Sequence, residues 1–256
     1  MTMRIAVVGG TGTLGAPAVT ALQARGHEVR SLSRGSADHP VDLSTGAGLR
    51  AALDGCEVVV DASNGAGAKA AQAVLVDGSR RLLEVEAAVG VAHHVAVSIV
   101  GCEKVPGLAY YRAKVAQEDV VRSGPVPWTL VRATQFHDLL DTWFSGAAKL
   151  GLRPSLAAPV QPVDVRDVAD AIADVVDAVR GHDAAGGRTL SVAGPQAATL
   201  AELARAWSEV TGRGRVPVRV PMWGGLRAVA AGVLVDESPD VRGTTTFASW
   251  VKGAYA

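Results

Sequence analysis

Apolar runs rich in β-branched side chains alternate along the first half of the chain with stretches of helical period. Strand-like runs fall at residues 5–8, 28–32, 58–60, 94–100 and 128–131. Helical patterns fall at 16–24, 48–53, a long stretch ending near Val89, and 109–123. This rhythm is a βαβ series. The strands read as nearly all apolar, the pattern of strands covered on both faces, so the expected core is a parallel sheet with helices on either side.

After Arg132 the rhythm loosens. Pro154, Pro159 and Pro162 interrupt an irregular stretch before a helix expected from about Asp167 to Val179. Thr199-Leu200-Ala201-Glu202 is a capping-box sequence opening an amphipathic helix to about Val210, and a short strand is expected at 216–220 between Pro217 and Pro221. Helices are expected near 226–234 and 246–251. The expected fold is a doubly wound α/β sheet with a small C-terminal α+β lobe. Residues 1–135 would form the sheet domain and 136–256 mostly the lobe, with 160–193 returning to the sheet. Trp143, Trp207, Trp223 and the 226–234 helix would line a pocket or pack the lobe's core.

Composition narrows the partners. With 256 residues, 48% of them hydrophobic, the chain can bury a core unaided. Lys+Arg 25 against Asp+Glu 25, with no like-charged block, removes the footprint that nucleic acid or anionic lipid requires. Arg213, Arg215 and Arg219 read as a solvated loop edge. Cys56 and Cys102 lack metal or disulfide spacing, and His93 and His94 point to opposite faces of a strand, so no metal site is expected. No uncharged stretch reaches membrane-spanning length and the first strand starts almost at Met1, so a cytoplasmic protein is expected. A small-molecule substrate is the expected partner, and homo-oligomerisation is left open.

Directly after the first strand comes Gly9-Gly10-Thr11-Gly12-Thr13-Leu14-Gly15, followed at once by a helical pattern. Gly9 can take a backbone angle closed to other residues, Gly12 lets the main chain approach a pyrophosphate, and Gly15 allows helix and strand to pack closely. The phosphates would meet free N–H groups at a helix N-terminus. The second strand should end near Ser33, where an NAD site would place an acid on the ribose. Arg34 stands there instead, suited to a 2′-phosphate, so the expected cofactor is NADP, as NADPH.

Tyr110 and Lys114 lie four residues apart on one helical face. An ammonium beside a phenol lowers its pKa and eases proton transfer to a carbonyl being reduced, and Lys114 would also hold the cofactor ribose. Ser98, near the carboxyl end of its strand, is a candidate for orienting that carbonyl, or else a local strand cap. Asp164 and Asp167 flank a helix start and read as structural caps. Gln135 and His137 follow a strand end and are candidates for facing substrate, although a packed histidine is as good a reading of His137.

The glycine loop, Arg34, Ser98, Tyr110-x-x-x-Lys114 and the later Val163-Asp164-Val165-Arg166-Asp167-Val168-Ala169 together resemble the atypical short-chain dehydrogenase/reductases, most closely the NmrA-like ones, over most of residues 3–180. The resemblance implies a Rossmann-type dinucleotide-binding domain over residues 1–135 and a small C-terminal α+β substrate lobe, with Asp42 and Leu43 beside the adenine and Ala62, Ser63 and Asn64 along the cofactor. It implies Ala133, Thr134, Gln135 and Phe136 near the nicotinamide, with Phe136 also toward substrate. The expected activity is an NADP-dependent oxidoreductase passing hydride between nicotinamide and a small organic carbonyl or related acceptor. Two alternatives remain: a non-catalytic NADP(H)-sensing regulator, and a flavin or quinone reductase in which Tyr110 takes no part.

Overall fold

The computed structural model describes residues 2–65, 67–179, 187–221 and 224–256. Its centre is a parallel sheet of seven strands, and the chain builds it outward in both directions from β1 (Arg4–Val8). From β1 the chain passes through α1 (Gly15–Ala24) to β2 (Glu28–Leu32) on one side. It then returns through α2 (Leu49–Leu53) to β3 (Val58–Asp61) on the other side of β1.

A helical stretch follows: α3 (Ala68–Ala71), a π-helical turn (Gln72–Val76) and α4 (Asp77–Val89). Next come β4 (His93–Ile99), α5 (Ala109–Arg122) and β5 (Trp128–Ala133). The sheet order is completed by β8 (Arg188–Ala193) and β11 (Val241–Arg242), giving β2-β1-β3-β4-β5-β8-β11. The reversal of strand order beside β1 is the switch point at which open α/β sheets take ligands, outside the carboxyl ends of the strands.

Period-2 alternation gives the sheet two apolar faces. Ile5, Val7, Val58, Val60, Val95, Val97, Val131, Leu190 and Val192 pack under α1 and α7 (Val165–Val179). Ala6, Val8, Val59, Ala96 and Leu130 pack on the other face with Leu49 and Leu53 of α2, Leu82 and Leu83 of α4 and Val121 of α5. His93 and His94 fall on opposite sides, as alternation requires. His93 Nε2 lies 2.9 Å from Thr129 Oγ1, and His94 Nδ1 lies 2.8 Å from Glu86 Oε1 on α4.

The remaining elements form the lobe. They are α6 (His137–Ala148), β6 (Leu152–Ser155), β7 (Pro159–Val160), β9 (Ala198–Thr199), α8 (Leu200–Thr211), β10 (Val216–Arg219), α9 (Leu226–Ala230) and α10 (Phe247–Ala254). Leu140, Phe144, Leu203, Trp207, Phe247 and Val251 make its core. The capping box at Thr199 is complete: its side chain accepts from Glu202 N while the Glu202 carboxylate accepts from Thr199 N.

Several elements depart from expectation, among them the short strands β6, β7 and β9, which had no expected counterpart. α6 occupies part of the stretch read as irregular. Its N-cap is Phe136, which offers no side-chain acceptor, and its buried face is narrow, with Leu139 and Trp143 exposed, so neither start signal nor stripe was visible. α9 ends at Ala230, four residues before the expected end. The two-residue β11 is too short for any periodicity. Trp207 is a core residue, Trp143 is 49% exposed, and Trp223 lies outside the described residues. Among the described residues no helix is long and apolar enough to cross a membrane, and no cluster of three metal-ligating side chains occurs.

Candidate functional site

The turn after β1 is held against β2, because Gly9 N and Gly10 N both donate to the Leu32 carbonyl, at 2.8 and 3.2 Å. Gly9 sits at φ +75°, in the left-handed region where a side chain is strained, and a Cβ there would come within 2.8 Å of the Ala62 carbonyl. At Gly15 an added Cβ would collide with the backbone of Gly9 and Gly10, so helix and turn touch as closely as glycine allows. Gly12 differs from both. Its N–H donates to the Gly9 carbonyl at 2.8 Å, a Cβ would meet only that oxygen, at 3.1 Å, and Thr11, Gly12 and Thr13 are exposed.

Helix α1 begins without a side-chain cap and without an acid in its first turn, and Leu14, its N-cap residue, is buried. The positive end of the helix dipole therefore meets no protein anion, the condition for receiving a phosphate. Beside it, the Ser63 hydroxyl oxygen is buried and has no hydrogen-bond partner. An exposed glycine turn that carries no side chain at Gly12, an uncapped helix start and an orphaned hydroxyl fit a dinucleotide pyrophosphate.

At the end of β2, Ser33, Gly35 and Ser36 form a tight turn, with Gly35 N donating to Ser33 Oγ at 3.2 Å and Ser36 Oγ to the Ser31 carbonyl at 2.8 Å. Arg34 is exposed at its tip, and no ion pair holds it among the described residues. An open cleft of about 590 Å³, lined by Thr11, Ser31, Gly35, Ser36, Asp38 and His39 among others, lies alongside. Leu43 is buried in the core, and Asp42 accepts from Ser44 N and Oγ at 2.9 and 2.7 Å. Those two bonds, with help from the Arg34 charge, hold the Asp42 carboxyl below its usual range.

Tyr110 and Lys114 share one face of α5, as their spacing requires, but their polar ends meet different partners. The Tyr110 hydroxyl donates to Asn64 Oδ1 at 3.0 Å. Lys114 is buried, and its Nζ donates to the Val97 carbonyl and to Gln117 Oε1, each at 2.9 Å. Burial pushes the Tyr110 phenol up. Burial also pushes the Lys114 amine down, against the opposing pull of Asp61 and the other acidic groups near it. No hydrogen bond joins Lys114 to the Tyr110 hydroxyl.

Ser98 is buried on the same side of the sheet as α5, with its Oγ 4.0 Å from Cys102 Sγ. It also helps hold the Glu118 carboxyl low. Burial opposes that shift, but hydrogen bonds from Arg132, Ser98 and Arg122 outweigh it. Arg132 reaches Glu118 through Nε at 2.9 Å and Nη2 at 2.6 Å. Ser98 thus stands in a buried polar cluster and shares no hydrogen bond with Tyr110.

The segment after β5 ties sheet to lobe. Ala133 is buried, and Thr134 Oγ1 accepts from Gly194 N at 3.3 Å. Gln135 donates to the Leu234 carbonyl and accepts from Gln161 N, both at 3.1 Å, while Phe136 packs half-buried against the α1/α7 side of the core. The His137 ring is fully buried between Phe247 and Trp250, with Nε2 3.0 Å from the Thr245 carbonyl, and burial pushes its pKa down. Asp164 accepts from Arg166 N at 2.8 Å, the expected cap on α7, and Asp167 accepts from Thr244 N at 3.1 Å.

One residue the sequence reading passed over stands at the centre. Asp61 ends β3 and is 1% exposed. Its Oδ1 accepts from Ser63 N at 3.0 Å, and its Oδ2 accepts from Gln117 Nε2 at 3.1 Å and from Ser79 Oγ at 3.3 Å. An acid closing an otherwise apolar Val-Val-Val strand, and a glutamine three residues after Lys114 on the same helical face, were the available signals.

A family model described as NmrA-like family matches residues 1–224, and the chain belongs to that family. A (4-alkanoyl-5-oxo-2,5-dihydrofuran-3-yl)methyl phosphate reductase of Streptomyces griseus is 36% identical over 136 residues, which is 52% of this chain and 47% of the relative. The match thus spans about half of each protein.

Two solved structures share the fold. An NADPH-dependent quinone oxidoreductase of Escherichia coli, complexed with NADPH, superposes with a TM-score of 0.79 at 19% identity, covering 98% of this chain and 100% of that one. A nucleoside-diphosphate-sugar epimerase of Staphylococcus aureus gives 0.77 at 18%, over 98% and 100%.

Proposed function

We propose that this chain is an NADPH-dependent reductase of a small organic acceptor. The observation that carries the reading is the glycine turn at the switch point, with an uncapped α1 and, two residues beyond β2, an exposed Arg34 that has no ion pair among the described residues. The NADPH-bound quinone oxidoreductase neighbour and the reductase relative support it.

Gly9, Gly12 and the start of α1 would hold the pyrophosphate, Ser63 would complete a hydrogen bond to the cofactor, and Arg34 would take the ribose 2′-phosphate. When bound, the dinucleotide supplies a hydride from nicotinamide C4. Tyr110, with its pKa raised, keeps its proton at neutral pH and is suited to be a donor to the oxygen of a reduced carbonyl. To do so its hydroxyl must leave Asn64 Oδ1. Lys114 has three N–H donors, two of them engaged, leaving one for the cofactor ribose.

A second reading has a specific observation in its favour. The Tyr110 hydroxyl is already engaged by Asn64 and Lys114 is turned toward Val97, an arrangement that suits direct hydride acceptance by a quinone or flavin without proton donation from Tyr110.

NADPH consumption by wild type and Tyr110→Phe against ketones, quinones and flavins tests both. A drop in turnover of roughly two to four orders of magnitude at unchanged NADPH affinity supports the proton donor. An unchanged rate with quinones or flavins supports the second reading. Inertness across the panel, with tight NADP(H) binding, overturns the reductase in favour of a cofactor sensor.

A further inference from the structure

The buried groups behind Tyr110 and Lys114 form one connected network, and the Gln117 amide is its bridge. Gln117 is 1% exposed. Its Oε1 accepts from Lys114 Nζ at 2.9 Å, and its Nε2 donates to Asp61 Oδ2 at 3.1 Å and to Ser79 Oγ at 3.2 Å. Only an amide offers an acceptor to an ammonium and donors to a carboxylate from one planar group. The other oxygen of Asp61 holds Ser63 N, in the turn that carries Asn64, which accepts from the Tyr110 hydroxyl. A single carboxylate thus anchors the partners of both residues.

We propose that Gln117 is a positioning residue that couples the Asp61 carboxylate to the Lys114 amine and fixes where that amine points. The proposal rests on the reading that Lys114 serves the cofactor site. Four elements bring the groups that face Lys114: Asp61 from β3, Cys102 from the 3₁₀ turn Cys102–Lys104, Gln117 and Glu118 from α5 itself, and the Val97 carbonyl from β4. Desolvation works against the ammonium, and Asp61 is the largest opposing influence. The amide lies between them: its Oε1 accepts the ammonium proton, while its N–H groups are polarised by the carboxylate.

The test reads the amine itself. With ¹³C,¹⁵N-lysine incorporated, the five lysines give five side-chain titrations, and Lys114→Met assigns the one of interest. In the wild type Lys114 should titrate below the other four. Gln117→Leu removes the acceptor and should lower its midpoint by about one pH unit, the scale of one charge-assisted hydrogen bond. Gln117→Met nearly keeps the volume, removes the amide and should lower the midpoint by a similar amount. The other four lysines should not move.

A packing role alone would change melting temperature without lowering the Lys114 midpoint. Midpoints within about 0.2 unit of wild type in the folded variants would overturn the proposal. If Gln117→Leu does not fold, Gln117→Met decides: a downward shift supports the coupling and no shift overturns it. NADPH titration of the same samples separates the two claims. A wild type that binds no NADPH defeats the reductase reading, whereas binding with an unmoved Lys114 midpoint defeats only the role of Gln117.

Discussion

Two glycines three positions apart in one turn should fail in opposite ways. At Gly15 a Cβ would be driven into the Gly9 carbonyl and come within 2.8 Å of Gly10 Cα, all backbone atoms that cannot rotate aside. Relief requires moving α1 off the turn. Overpacking of a well-filled site costs about 1–3 kcal/mol, and contact with unyielding backbone belongs at the upper end. For a chain of this size each kcal/mol moves Tm by roughly 2–4 °C, so Gly15→Ala should melt about 6–12 °C below wild type. At Gly12 the only neighbour is the Gly9 oxygen at 3.1 Å, and the backbone angle lies outside the left-handed region. Gly12→Val should cost less than about 1 kcal/mol, yet its methyl groups occupy the path by which a pyrophosphate approaches, and NADPH affinity should fall at least about 100-fold. Thermal melts and a nucleotide fluorescence titration on the three proteins suffice. A Gly15→Ala protein as stable as wild type would refute the close approach of α1 to the turn. A folded Gly12→Val protein that binds NADPH normally would place the dinucleotide elsewhere.

Arg34→Ala should remove most of a preference for NADPH over NADH, a loss of about 10–100-fold in NADPH affinity with little change for NADH, and equal wild-type affinities would take Arg34 out of the phosphate role. His93 is the acid-sensitive group of the sheet. Burial first, and the neighbouring His94 second, bring its pKa from 6.5 down to about 4, so the folded protein declines a proton that the unfolded chain accepts. Its contribution to stability is therefore complete above pH 6.5 and is lost as pH falls toward 4. His93→Gln should show a smaller fall in Tm between pH 7 and 4.5 than wild type, and an identical slope would contradict the assignment. Glu118 follows the same sense at lower pH, since Arg132 and Ser98 hold its carboxyl below the usual range. Glu118→Gln should lessen the loss of stability on acidification below about pH 4.5, which acid-induced unfolding would record.

The centre of the sheet was legible because β1, β3, β4 and β5 are covered on both faces and so read as nearly unbroken apolar runs, and the glycine turn was legible because its chemistry is local to seven residues. α6 was not legible: its start at Phe136 carries no capping side chain, and it buries so narrow a face that Leu139 and Trp143 break the expected stripe. At the site, helical spacing correctly put Tyr110 and Lys114 on one face, but spacing says nothing about where a long side chain ends. Lys114 bends to the Val97 carbonyl because that buried acceptor and Gln117 are both within its reach, partners contributed by β4 and by its own helix. Asp61 escaped notice because a lone acid at the end of a strand looks like a loop residue until α4 and α5 are seen closing over it.

Transfer of the hydride itself is the most direct test of the reductase reading. Protein supplied with NADPH deuterated at nicotinamide C4 and a panel of ketones, enones and quinones should yield a reduced product carrying deuterium at a hydride-accepting carbon or, for quinones, stoichiometric loss of the label from one face of the nicotinamide. Gly12→Val should yield neither. Tight, saturable NADPH binding with no label leaving the nicotinamide under any acceptor would contradict the account and leave a protein that binds the cofactor without using it.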